Sequence, residues 1–229
     1  MDLSKSYEVF NPARVKDRIH IIGCGSVGST VAELLARFGL TKFTLYDFDY
    51  VEPHNLANQL FVKKHIGKLK VEALKEMICD INPEAEPDIK LQPQGWNGQP
   101  LTGIVVLAVD NIEVRKEIVK ANKGNAMVKA MFDFRTGLFD AQHYAADWSK
   151  KKSVDDFYNS MDFTHEEAAA ETPVSACGVT LGVAPTVRLI CTLGVSNMAN
   201  FMLGKNVRKV ILADAFNFDL NDSPVLAMG

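Results

Sequence analysis

The hexapeptide Gly23-Cys24-Gly25-Ser26-Val27-Gly28 constrains this chain more than any other feature. It follows the apolar run Ile19–Ile22, which reads as a buried strand. It opens residues 27–38, where Val31, Leu34, Leu35 and Phe38 fall on one helical face. Between a strand and a helix each glycine has a physical use. Gly23 permits the tight turn, Gly25 lets an anion approach the backbone, and Gly28 lets the helix pack close to the strand. The free amides from Ser26 onward and the helix dipole then favour a phosphate. Asp47 follows a second apolar run, Phe43–Tyr46, and lies 19 residues after Gly28, a position suited to gripping ribose hydroxyls. To this point the residues say only that a nucleotide binds. A nicotinamide-dependent oxidoreductase fits as well as an enzyme that uses ATP.

The rhythm of the chain sets the fold class. Residues 68–81 read as a helix with Val71, Leu74, Ile78 and Ile81 inward and Glu72, Lys75 and Glu76 toward water. Residues 104–109 form a third apolar strand, and residues 112–121 the helix after it. This alternation predicts an α/β fold, a Rossmann-like, mostly parallel sheet flanked by helices with right-handed crossovers. Beyond Lys129, residues 131–134 and 138–145 read as consecutive strands around Thr136-Gly137, an antiparallel extension. Residues 153–172 are acidic and polar and are expected to form a long surface loop. A helix from about Ala184 and a strand over residues 209–215 follow. Residues 1–229 are read as one domain.

Composition narrows the function classes. Lys and Arg number 25 against 28 Asp and Glu, a net charge of -3, so a general nucleic-acid binder is not expected. The cysteines, Cys24, Cys79, Cys177 and Cys191, form no Cys-x-x-Cys pair, which argues against a zinc site or a disulfide framework. Residues 1–10 contain no apolar signal core. The longest apolar stretch, residues 181–203, is interrupted by Arg188, Asn197 and Asn200 and reads as a buried helix, not a membrane span. A cytoplasmic protein with no membrane or nucleic-acid partner is the expectation.

Further motifs separate the two nucleotide readings. Asp47-Phe48-Asp49-Tyr50-Val51 is followed by Asn55-Leu56-Ala57-Asn58-Gln59, then Ile66-Gly67-Lys68-Leu69-Lys70, then Val109-Asp110-Asn111 with Arg115 beyond. In this order they resemble the adenylation domain of the ThiF/MoeB/HesA family, the fold shared by ubiquitin-activating enzymes. The resemblance covers residues 18–115 and resumes over residues 176–204, around Ala176-Cys177-Gly178-Val179. It implies ATP and Mg²⁺ as cofactors. It also implies adenylylation of the C-terminal carboxylate of a ubiquitin-like protein, sulfur-carrier protein or peptide, and a homodimer. Asp47 would hold the ribose, Asn55 would lie at the reacting phosphate, Lys70 would contact phosphates, and Asp110 would bind the metal. Asn111 and Arg115 would support that strand end, and Gly23, Gly25, Ser26, Gly28, Asp49 and Gln59 would complete the nucleotide site. Cys177 resembles a cysteine that accepts an acyl group. With Asn55, Lys70 and Asp110 it makes up the catalytic set.

Each position also has a bland reading. Asp110 could cap the next helix, Lys70 could lie on a solvated face, Asp49 could organise a turn, and Cys177 could be a small buried residue. The chain departs from the family where Asn58 stands in place of an arginine that contacts phosphates, since an amide has neither the charge nor the fork. Arg135, Lys63 and Lys64 are candidate replacements. Arg14, Lys16 and Arg18 are further available cations, ahead of the glycine loop. A nucleotide-binding module without catalysis is therefore the alternative reading.

Overall fold

The computed structural model describes residues 1–164, 166–167, 182–217, 220–222 and 225–226. The central strand is β1 (Ile19–Ile22), whose four residues are all buried because helices cover both faces of the sheet. It pairs in parallel with β2 (Phe43–Tyr46) on one side and β4 (Gly103–Leu107) on the other. Beyond β2 lies β3 (Lys90–Gln92), and beyond β4 lies β5 (Val128–Thr136), both parallel to their neighbours. The direction then reverses. β5 turns back into β6 (Asp140–Asp147), and β8 (Val210–Asp214) and β9 (Leu220–Asp222) continue antiparallel, completing an eight-stranded order β3-β2-β1-β4-β5-β6-β8-β9. The short strands β7 (Val207–Arg208) and β10 (Val225–Leu226) pair separately.

Helices α1 (Ser26–Arg37), α2 (Lys70–Ile81) and α5 (Ala184–Met202) cover one face. There Val31, Leu35, Leu74, Ile78, Ile190 and Met198 pack on Ile19, Ile21, Phe43 and Phe132. Helices α3 (Ile112–Asn122) and α4 (Lys151–Asn159) cover the other, with Ile118, Val119, Val154 and Phe157 against Ile22, Val105 and Leu107. The α/β, Rossmann-like architecture and its antiparallel extension are as the sequence rhythm predicts.

The expected loop over residues 153–172 is corrected at its start, where α4 occupies Lys151–Asn159. Val154, Phe157 and Met161 recur at helical spacing and are all buried, and the polar residues between them face outward. Sparse apolar residues on a single stripe were outweighed by the acidic composition. Residues 168–172, and Cys177 with its neighbours, lie outside the described residues. No described helix is long and apolar enough to cross a membrane.

The chain runs from β1 through α1 to β2 on one side, whereas β4 lies on the other side of β1. The carboxyl ends of β1 and β4 therefore flank the point where the strand order changes direction, the usual ligand crevice of an open α/β sheet.

Candidate nucleotide site

The glycine loop lies in this crevice. Gly23 has φ +94°, and a Cβ there would stand 2.6 Å from the Ala108 carbonyl oxygen at the end of β4, so both conformation and space demand glycine. A Cβ on Gly28 would stand 1.8 Å from the Gly23 carbonyl oxygen, so this glycine closes helix against loop. Gly25 differs. Its φ is not positive, and a Cβ would meet nothing closer than Gln59 Nε2 at 3.8 Å. Neither turn geometry nor protein packing requires a glycine at that position. Beside it, Gln59 Oε1 is buried and has no hydrogen-bond partner among the described residues. An open cradle next to an unsatisfied polar atom suits an external ligand.

Asp47 ties the end of β2 to this loop. Its Oδ2 accepts from the Cys24 amide at 2.6 Å and its Oδ1 from the Asp49 amide at 2.9 Å. Burial raises its pKa, partly opposed by those amides and by Lys70. The Lys70 ammonium is buried and lies 2.7 Å from Asp49 Oδ2, and the Lys70 amide donates to the Asp49 carbonyl at 2.9 Å. Lys70 is therefore not on a solvated face. Its charge also acts on the buried Cys24 thiol, which places it within electrostatic reach of the glycine loop.

Asn55 is buried on the short 3-10 helix Pro53–Ala57, where its Oδ1 accepts from the Glu52 amide at 2.9 Å. The same segment is stitched to α1 by the Leu60 amide, which donates to Ser29 Oγ at 3.3 Å. Asn58 turns to the start of α5, its Nδ2 donating to the Gly182 carbonyl at 3.4 Å. His65, in the short 3-10 helix that follows, is structural. It is buried, and its Nδ1 accepts from the Val62 amide at 3.1 Å.

At the end of β4 the cap of α3 is Asn111, not Asp110. Asn111 Oδ1 accepts from the amides of Glu113 and Val114 at 2.8 and 3.3 Å. Asp110 is exposed and makes no hydrogen bond or ion pair among the described residues. Arg115 is buried and bound inward. It donates to the Val109 and Phe134 carbonyls and pairs with Asp133. It thus fixes the carbonyl just before Asp110 and presents no free donor face to a nucleotide.

Asp133 was missed at the level of sequence. It is fully buried on β5, level with Leu107, and holds a second guanidinium, Arg135, at 2.7 Å. The available signal was a carboxylate inside the apolar run around Met131–Phe134, because a buried charge needs a partner. Arg135 also donates to the Ser160 carbonyl at the end of α4 and stacks over Tyr144. Lys64 is paired with Glu76 and Asp80. Neither is free to replace a phosphate-binding cation at Asn58. Arg18 precedes β1 and binds the Phe43 and Asp88 carbonyls, at the opposite end of the strand from the glycine loop. Arg14, Lys16 and Lys63 are exposed.

The structure thus brings Gly25, Asp47, Asp49, Gln59 and Lys70 together around the start of α1, with Asp110 at the end of the adjoining strand. Cys177 is outside the described residues. Comparison with known proteins bears on the family and the fold. The chain is 31% identical over 147 residues to ubiquitin-like modifier-activating enzyme 5 of Drosophila virilis, a match covering 55% of this chain and 34% of that protein. The enzyme of the same name from Branchiostoma floridae is 42% identical over 88 residues, covering 38% of this chain and 22% of that one. The chain spans about a third of the first of these relatives. Among solved structures, E. coli MccB crystallised with ATP superposes with a TM-score of 0.66 at 19% identity, covering 91% of this chain and 63% of that one. PaaA superposes with a TM-score of 0.64 at 14% identity, covering 91% of this chain and 64% of that one. These structural likenesses concern the fold. The ThiF family profile matches residues 13–226, nearly the whole chain, and the protein belongs to the ThiF family.

Proposed function

We propose that this chain binds ATP in the crevice above β1 and β4 and activates a carboxylate by adenylylation. The observation that carries this reading is the cradle at Gly25, open to a ligand and flanked by Asp47, Gln59 and Lys70. A carboxylate oxygen forms a bond to the α-phosphorus, the bond to the bridging oxygen breaks, and pyrophosphate leaves with that electron pair. An ionised carboxylate is already a nucleophile, so no general base is needed. Positioning and electrostatic stabilisation supply the catalysis.

In this scheme Asp47 grips the ribose, the amides of the first turn of α1 receive phosphate oxygens, and Lys70 neutralises charge on them. Asn55 orients the reacting phosphate. Magnesium fits Asp110, because Mg²⁺ takes one or two protein carboxylates and completes its shell with phosphates and water. That carboxylate is exposed and uncommitted, and the described residues contain no larger cluster of metal-binding groups. The ion would offset charge that develops on the departing pyrophosphate.

The acyl substrate we assign is the C-terminal carboxylate of a ubiquitin-like or sulfur-carrier protein, or of a peptide. The names of the Drosophila and Branchiostoma relatives and the crystallisation of MccB with MccA support this class. Cys177 is the proposed acceptor of the acyl group, and a homodimer is the proposed assembly. A second reading, nucleotide binding without catalysis, is favoured by the neutral Asn58 and by the pairing of Lys70 with Asp49.

Calorimetry with ATP, with and without Mg²⁺, on wild type, Asp47→Ala and Asp110→Ala tests the site. Binding that Mg²⁺ strengthens and that both substitutions weaken supports it. Binding of NADH in preference to ATP overturns it. Pyrophosphate exchange with candidate C-terminal carboxylates then separates the enzyme from the non-catalytic module.

A further inference from the structure

Helix α5 crosses the first two turns of α1. Cys191 Sγ lies 3.7 Å from the Val27 carbonyl oxygen, and one turn earlier the Arg188 guanidinium donates to Thr30 Oγ1. Thr30 Oγ1 in turn donates to the Ser26 carbonyl at 2.7 Å, so the guanidinium is two hydrogen bonds from the first residue of α1. Arg188 is half-buried and is the one charged residue in α5. Among the described residues no carboxylate pairs with it. Holding a cation in a partly desolvated place without a counter-charge is unfavourable, and an anion arriving there relieves the cost.

Five cations toward this end of the sheet are already committed, and Lys63 is exposed. Lys70 is paired with Asp49, and Arg115 and Arg135 share Asp133. Lys64 and Lys68 are both held by Glu76. Asn58, beside the glycine loop, is neutral and bonded to Gly182. A triphosphate carries several negative charges, and the groups around Gly25 bring little net positive charge without Arg188. The guanidinium rests about one helical turn, roughly 5.4 Å along α1, below the amides that would meet the phosphates. Rotation about its side-chain bonds spans that distance.

We propose that Arg188 is a phosphate-binding residue of the nucleotide site, leaving Thr30 to contact the phosphates when ATP binds. This rests on the reading of the crevice as an ATP site and adds to it the source of the positive charge. A purely structural Arg188 would tie α5 to α1 and would not distinguish nucleotides by their phosphates.

The test is calorimetric titration of wild type, R188Q and R188K with ATP and with adenosine, together with the salt dependence of ATP binding and the melting temperature of each protein. R188Q is expected to weaken ATP binding roughly tenfold to a hundredfold, the effect of losing a charged hydrogen bond. It is expected to leave adenosine binding within about twofold and to flatten the salt dependence. R188K, which keeps the charge, falls between. Unchanged ATP affinity and salt dependence in R188Q overturn the proposal. So does an equal loss for ATP and adenosine, which marks a packing role. Wild type that fails to bind ATP overturns the ATP reading itself and this inference with it, whereas wild-type binding that R188Q matches overturns this inference alone.

Discussion

Replacing Asp133 with asparagine keeps the side-chain shape and removes one charge from a buried cluster. In the native protein Asp133 is fully buried, and the Arg115 and Arg135 side chains are only 7% and 13% exposed. Burial pushes the Arg115 pKa down and the Asp133 carboxylate pushes it back up, so this neighbour offsets the cost of burying the guanidinium. Asparagine leaves two guanidiniums side by side without a counter-charge. Breaking a buried pair in this way costs about 3–5 kcal/mol, a large part of the ~5–15 kcal/mol that holds a typical domain folded. For a chain of this size that corresponds to a fall in melting temperature of about 6–20 °C. Urea unfolding should show a lower midpoint with an unchanged slope, because the surface exposed on unfolding is the same. Arg135→Gln should cost less, since Arg115 still neutralises Asp133. A loss below about 1 kcal/mol for Asp133→Asn would mean that water reaches both guanidiniums, and the account of this cluster as a dry triad would fail.

Gly194→Ala on α5 places a Cβ 2.1 Å from Phe134 Cε1 and 3.0 Å from His143 Nδ1, so overpacking should cost about 1–3 kcal/mol in urea unfolding; an unchanged midpoint would show that the contact relaxes freely. Gly25→Ala should keep the native melting temperature yet weaken ATP at least about tenfold, through lost backbone approach and crowding of the phosphates. Gly28→Ala should fail to fold; equal behaviour of the two variants would contradict the assignment of Gly25 to the ligand. Burial lowers the pKa of His143, and of His20, to about 4. The unfolded chain binds these protons near pH 6.5 and the folded chain does not. Stability is therefore intact above that value and falls as pH drops from about 6.5 to 4, by up to ~3 kcal/mol per histidine. His143→Gln should reduce that slope in urea titrations at several pH values, and an unaltered slope would place the titration elsewhere.

The parts of this protein legible from sequence are those set by local physics. Strand β1, the turn at Gly23 and helix α1 follow from an apolar run, a residue free to take positive φ, and a helical period, all within 20 residues of chain. The parallel order follows from strands alternating with helices. Helix α4 was hidden because its stripe of Val154 and Phe157 is thin and most of its residues are polar. What local reading cannot supply is the pairing of charges across elements. Asp133 and Arg115 are 18 positions apart, Arg188 and Thr30 are 158 apart, and each pair meets only because the sheet and its helices are assembled.

The same limit explains why the short cation list drawn from sequence named Arg135, Lys63 and Lys64 and passed over Arg188. In the sequence Arg188 is an interruption in an apolar helix, useful only as an argument against a membrane span. In the fold that helix lies across the start of α1, and an interruption becomes a charge held on Thr30, about one turn into α1. A helix buried against α1 could have carried a neutral residue there at less cost in desolvation. A guanidinium that no described carboxylate pairs with is the observation behind the proposed anion site. The cradle at Gly25 leads to the same requirement by an independent route, since it leaves space that no described side chain fills.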